Sequence, residues 1–90
     1  MPQFLVEAPH TEEECLRALD ELVDKEPVLL RESWFGCMAG DHTGYATIEA
    51  GSESEVREKL PSMIRDKAKV VEVSKITPEQ IRENHTKYNI

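Results

Sequence analysis

The sequence predicts an α+β domain with the element order β-α-β-β-α-β and a short C-terminal helix. Three observations lead there. The stretches FLVEA near the N-terminus and YATIEA in the middle alternate apolar and polar residues, the period of half-buried strands. Each is followed by a Ser/Thr-x-x-Glu box that opens a run with helical apolar spacing. Three glycines, Gly36, Gly40 and Gly44, lie where the second strand must turn into the third.

In the first strand, Phe4 to Ala8, the residues Phe4, Val6 and Ala8 share one face and Leu5 and Glu7 the other. Pro9 and His10 end it. Thr11 and Glu14 form a capping box for a helix over Glu12 to Lys25, with an apolar stripe through Cys15, Leu19 and Leu22 and a stop at Pro27. A second strand falls within Val28 to Cys37, Met38 to Gly44 is a turn, and Tyr45 to Ala50 is the third strand. Ser52 and Glu55 cap a second helix whose stripe is Val56, Leu60, Met63 and Ile64. Pro61 removes a helical hydrogen bond there, so a kink or restart is expected. Lys69 to Ile76 is the fourth strand. Thr77, Pro78 and Gln80 open a last helix that reaches about His85. This is the split βαβ, or ferredoxin-like, order: a four-stranded antiparallel sheet with two helices on one face and the first and third strands in its centre. Residues 1–90 read as one such domain.

The other sheet face is left open. Placing Val6, Ile48, Val71 and Val73 under the helices puts Leu5, Glu7, Tyr45, Thr47, Glu49, Val70 and Glu72 on that open face, with Trp34 or Phe35 added by the second strand. A face of mixed apolar and acidic residues suggests two sheets packed against each other in a homodimer. Glu7, Trp34, Tyr45, Glu49 and Glu72 are then candidate ligand-binding residues. The three carboxylates would crowd one another or hold a cation.

The net charge of −7 works against nucleic acids and anionic membranes as partners. No apolar run approaches the length of a membrane span, and MPQFLVEAPH lacks the basic-then-apolar order of a signal peptide. Cys15 and Cys37 stand far apart, in no metal or redox spacing, which suggests reduced thiols and a cytoplasmic protein. Cys15 lies on the helix stripe and reads as core. GCMAGDHTG has no phosphate-loop ending and no nucleophile elbow. It does hold Cys37, Asp41 and His42, and His10 falls toward the same end of the sheet. These four are candidate metal ligands, of the kind that suits nickel, zinc or copper.

PHTEEECLRALDE, GCMAGDHTGYATIEA and RDKAKVVEVSKITPEQIR, with Asn84 and His85 after them, resemble a family of small, mostly prokaryotic, uncharacterised proteins. Its relatives belong to the dimeric α/β-barrel superfamily of ferredoxin-like folds. The resemblance implies that fold and a face-to-face dimer. The superfamily includes cofactor-independent monooxygenases, muconolactone isomerases, sensor domains and a nickel-binding member, and no catalytic motif of theirs maps onto these residues. The function expected is a homodimeric small-ligand or metal-binding module. The alternative is a cofactor-independent enzyme of isomerase or monooxygenase type, working on a small organic molecule in the dimer cavity. A purely structural dimer is the third reading.

Overall fold

The computed structural model describes residues 1–89. Its elements are β1 (Gln3–Pro9), α1 (Glu12–Lys25), α2 (Pro27–Glu32), β2 (Trp34–Phe35), a 3₁₀ turn (Cys37–Ala39), β3 (Thr43–Glu49), α3 (Glu53–Lys59), β4 (Lys69–Val73) and α4 (Pro78–Tyr88). The four strands form one open antiparallel sheet in the order β2-β3-β1-β4. β1 and β3 are therefore its centre, and β1 is bonded on both sides.

Phe4, Val6 and Ala8 of β1 face the same way as Ile48 of β3. With Ala50, Val56, Leu60, Ile64 and Ala68 they make the buried cluster. Helix α1 adds Ala18 and Leu22. The core is thin: Val6 and Val56 are its largest fully buried side chains. Both helix N-termini around it are capped as the sequence predicts. The Thr11 hydroxyl accepts from Glu14 N at 3.2 Å, and Glu14 Oε1 accepts from Thr11 N at 2.8 Å. Ser52 likewise accepts from Glu55 N, but the Glu55 carboxylate turns to Gly51 N instead of closing the box.

Four expectations need correction. Pro27 does stop α1, but it also opens α2 as its first residue, where a missing N–H costs nothing. That helix takes half of the segment expected to hold the strand, and β2 is only two residues long. Next, Pro61 ends α3 outright. The chain from Ser62 to Lys67 is a run of turns rather than a restarted helix. Two arginines tie those turns down. Arg57 donates to the carbonyls of Arg65 and Ala68, and Arg65 donates back to those of Arg57 and Leu60. Third, β4 ends at Val73 instead of Ile76. The last correction concerns its parity. Glu72 pairs with Phe4 and Val70 with Val6, so Glu72 and Val70 lie on the helix side and Val71 and Val73 on the open side. Val70 packs against the core, whereas Val71 is exposed. Both parities of KVVEV carry valine. Ala68, buried at the end of the turns, decides between them.

Helix α4 has a full capping box at Thr77 and runs to Tyr88, one turn beyond the expected end. Every residue from Ser74 to Asn89 is exposed. The radius of gyration, 16.4 Å, reflects that extension. A compact chain of this length would give about 12 Å. Among the described residues, no helix is long and apolar enough to cross a membrane.

Glu14 anchors the start of α1 a second time, through Lys67 Nζ at 2.6 Å. That hydrogen bond, with the one from Thr11 N, holds its carboxyl down at about 2, against an ordinary 4.5. A carboxylate lowered this way favours the folded state above about pH 4.5, and loses that effect as the pH falls through about 2. Carboxyl NMR titration is expected to place Glu14 near 2 in the parent protein. In Lys67→Ala the midpoint moves up toward the ordinary glutamate range.

Candidate metal centre

The register of the central strands builds one end of the molecule. In the β1–β3 ladder the last pair is Pro9 with Thr43. His10 and His42 are the next residues outward on each strand. They stay joined by a backbone hydrogen bond, His10 N to His42 O at 3.0 Å. Their rings meet edge to face, with centroids 5.8 Å apart. By strand alternation both continue the row of Ala8, Val6 and Phe4, which is the face covered by helices.

Two thiols reach the same place from other elements. Cys15 stands at the N-terminal end of the α1 stripe, one turn before Ala18 and Leu19. Cys37 opens the 3₁₀ turn that follows β2. Their Sγ atoms lie 3.5 Å apart, and His10 Nε2 lies 3.2 Å from Cys37 Sγ. One donor atom from each of His10, Cys15, Cys37 and His42 falls within 4.8 Å of all the others, and all four residues are half-buried. Cys15, assigned to the core from sequence, is thus the fourth member. The signal for it was available: it is the apolar-stripe residue nearest the strand end that carries His10.

The His10 ring has a partner at each nitrogen. His10 Nδ1 lies 3.4 Å from the Ala8 carbonyl oxygen. The tautomer that donates from Nδ1 to that oxygen would turn the Nε2 lone pair toward Cys37. Burial, then the neighbouring Cys15, pushes the Cys37 thiol up. His42 Nδ1 is buried with no hydrogen-bond partner. A buried polar nitrogen left unpaired costs about 1–3 kcal/mol.

Of the four ligands expected from sequence, His10, Cys37 and His42 come together, and Asp41 does not join them. Its carboxylate is occupied by the turn: Thr43 Oγ1 donates to Oδ1 at 2.9 Å, and the Tyr45 hydroxyl donates to Oδ2 at 2.6 Å. The Tyr45 bond chiefly lowers the Asp41 carboxyl, and the same bond raises the Tyr45 phenol.

The expected ligand-binding residues are dispersed. Trp34, Tyr45 and Glu7 do lie in one row across the open face, with Lys69 beyond them. Glu49 pairs with Gln3, four residues along β3 from Tyr45, or about 13 Å at strand rise. It sits 3.8 Å from the N-terminal ammonium. Glu72 is on the other face. The three carboxylates are therefore apart, so they neither crowd one another nor share a cation.

Comparison with protein-family models, curated proteins and solved structures found no match for this chain. The reading of the centre rests on its own geometry.

The loop that presents Cys37 and His42 needs its glycines for two different reasons. A Cβ on Gly36 would meet the Asp41 carbonyl oxygen at 2.6 Å. Gly36 also bonds that loop three times, accepting from Ala39 and Asp41 N and donating to Thr43 O. Gly40 has φ +89°, open to other residues only with strain. In urea titrations, Gly36→Ala is expected to cost about 2 kcal/mol, because backbone must move. Gly40→Ala is expected to cost on the order of 1 kcal/mol from its dihedral alone.

Proposed function

We propose that this chain is a metal-binding module whose ligands are His10, Cys15, Cys37 and His42, and that Zn²⁺ is the ion its donor set suits best. The convergence of these four donors carries the reading. Two thiolates and two imidazoles are the borderline-soft set that zinc takes in tetrahedral sites. Zinc bonds of about 2.0–2.3 Å place tetrahedral ligand atoms roughly 3.3–3.8 Å apart. The separations of 3.2 Å and 3.5 Å around Cys37 are close to that already. The unpartnered His42 Nδ1 supports the same conclusion, because a bound cation would satisfy the region that holds it.

The protein's part is to hold and orient. Ala8 O fixes the His10 ring, the capped start of α1 fixes Cys15, and the glycine-bound loop fixes Cys37 and His42. Four protein donors fill a tetrahedral shell and leave no position for a substrate, so the site is one of binding rather than hydrolysis. Ligation requires both thiols to lose their protons. Affinity therefore falls as the pH drops, and uptake releases protons.

The test is a titration of chelator-treated, reduced protein with Zn²⁺, Ni²⁺, Cu²⁺ and Co²⁺, followed by thermal unfolding. Zn²⁺ is expected to bind at one equivalent, and free Zn²⁺ at 100 times Kd to raise Tm by several degrees. Co²⁺ is expected to give tetrahedral d–d bands with thiolate charge transfer. Cys37→Ser and His42→Ala are expected to weaken binding by roughly 100-fold or more, and Asp41→Asn far less. A Tm that no metal shifts, or a shift that Cys37→Ser leaves intact, overturns the reading.

The sheet supports a further part of this proposal. The order β2-β3-β1-β4 with antiparallel neighbours fits a ferredoxin-like fold of the dimeric α/β-barrel kind. The uncovered face, with Leu5, Val71 and Trp34 exposed, fits a homodimer formed through it. Light scattering is expected to report twice the 10.3 kDa chain mass, and Leu5→Glu, at the middle of that face, is expected to give the monomer.

A further inference from the structure

The two sulfurs of the centre can react with each other as well as with a cation. We propose that Cys15 and Cys37 form a reversible dithiol–disulfide couple, oxidised by small hydroperoxides, and that its oxidation discharges the metal. The discharge rests on the metal-binding reading. The couple itself rests on the two thiols and His10, with or without a metal.

Three observations carry it. The Sγ atoms are 3.5 Å apart, on α1 and on the turn after β2. A disulfide needs about 2 Å, so closure asks the sulfurs to approach by less than 2 Å, within reach of side-chain rotation. Both cysteines are free and half-buried. That leaves access for a peroxide while keeping other protein thiols at a distance. Finally, His10 Nε2 lies 3.2 Å from Cys37 Sγ, with its other nitrogen held toward Ala8 O. That sets a proton acceptor beside a thiol that burial otherwise keeps protonated.

The reaction balances without a further reductant or oxidant. Cys37 gives its thiol proton to His10 Nε2. Its sulfur attacks the terminal oxygen of the hydroperoxide. An S–O bond forms as the O–O bond breaks, and the alkoxide leaves as alcohol with the proton from His10. The Cys15 sulfur then attacks the Cys37 sulfenic acid. An S–S bond forms, the S–O bond breaks, and hydroxide leaves as water with the Cys15 proton. Two electrons pass from the two sulfurs to the peroxide. The disulfide no longer offers a thiolate, so only His10 and His42 remain, too few to retain a four-coordinate ion.

The experiment treats metal-free and Zn²⁺-loaded protein with hydrogen peroxide, then with dithiothreitol. In the metal-free arm, intact mass is expected to fall by about 2 Da with both thiols lost together. Peptide mapping should show the Cys15–Cys37 link within one chain, and dithiothreitol should restore the starting mass. Cys15→Ser should instead stop at a dimedone-reactive sulfenic acid on Cys37. In the loaded arm, a chromogenic chelator should record one Zn²⁺ released per disulfide formed, and full rebinding after reduction. Disulfide formation in protein that never bound Zn²⁺ supports the couple and removes the metal reading. Zn²⁺ that stays bound, with both thiols intact under excess peroxide, overturns the discharge, and thiols that also stay intact in the metal-free arm overturn the couple. Stepwise oxidation to sulfinic and sulfonic acids, or links between chains only, also overturns it.

Discussion

The site depends on the pairing of β1 with β3. Because the strands are antiparallel, the end of one meets the beginning of the other, and the register that pairs Phe4 with Ile48 also sets His10 opposite His42. A slip of one residue would do two things together. It would turn Phe4 and Val6 out of the core, and it would move the two imidazoles apart. The apolar burial that stabilises the domain and the geometry of the centre are thus fixed by one alignment. The His10 N to His42 O bond extends the ladder one step past its formal end and makes the coupling direct.

The remaining two donors follow from that end of the sheet. Thr11 caps α1 immediately after His10, so the first turn of the helix must lie over the strand exit. The stripe that buries Ala18 and Leu22 then brings Cys15 over the same corner. On the other side, the hairpin from β2 to β3 is closed by Gly36, which makes three backbone hydrogen bonds there and has no room for a Cβ against the Asp41 carbonyl. Asp41, Thr43 and Tyr45 stiffen it through side-chain bonds, which is why Asp41 is spent on the turn and is not among the donors.

Much of this was legible in the sequence, and the failures have particular causes. Thr11, Glu14 and Pro27 mark α1 at both ends, and its observed bounds are the expected ones. The alternation in FLVEA and YATIEA places Phe4, Val6 and Ile48 in the core, because one parity in each is the more apolar. KVVEV offers valine on both parities, so Glu72 was assigned to the wrong face. Pro27 marks a helix end and a helix start with equal force, and α2 was lost in that ambiguity. The histidines could be placed near each other from strand direction alone. Cys15 satisfies the apolar stripe as a small hydrophobe would, and only its place beside the strand end that carries His10 sets it apart.

Placing the cluster on the covered face rather than the open one has an energetic consequence. The core is thin, and α4 adds no burial to it, so the corner between β1, α1 and the hairpin is held by few apolar contacts. A cation bound there would tie three separate segments together at residues 10, 15, 37 and 42, which span the first half of the chain. Small domains commonly need such a staple, by metal or by disulfide. This corner holds the groups for either one. The same two sulfurs serve both, so the two staples exclude each other. A cation would join all three segments, whereas a disulfide would join only α1 to the hairpin and leave His10 and His42 to the ladder. The oxidised corner would then be the looser of the two at the strand ends, and the difference between the states would fall on the loop from Gly36 to Gly44 rather than on the sheet beneath it.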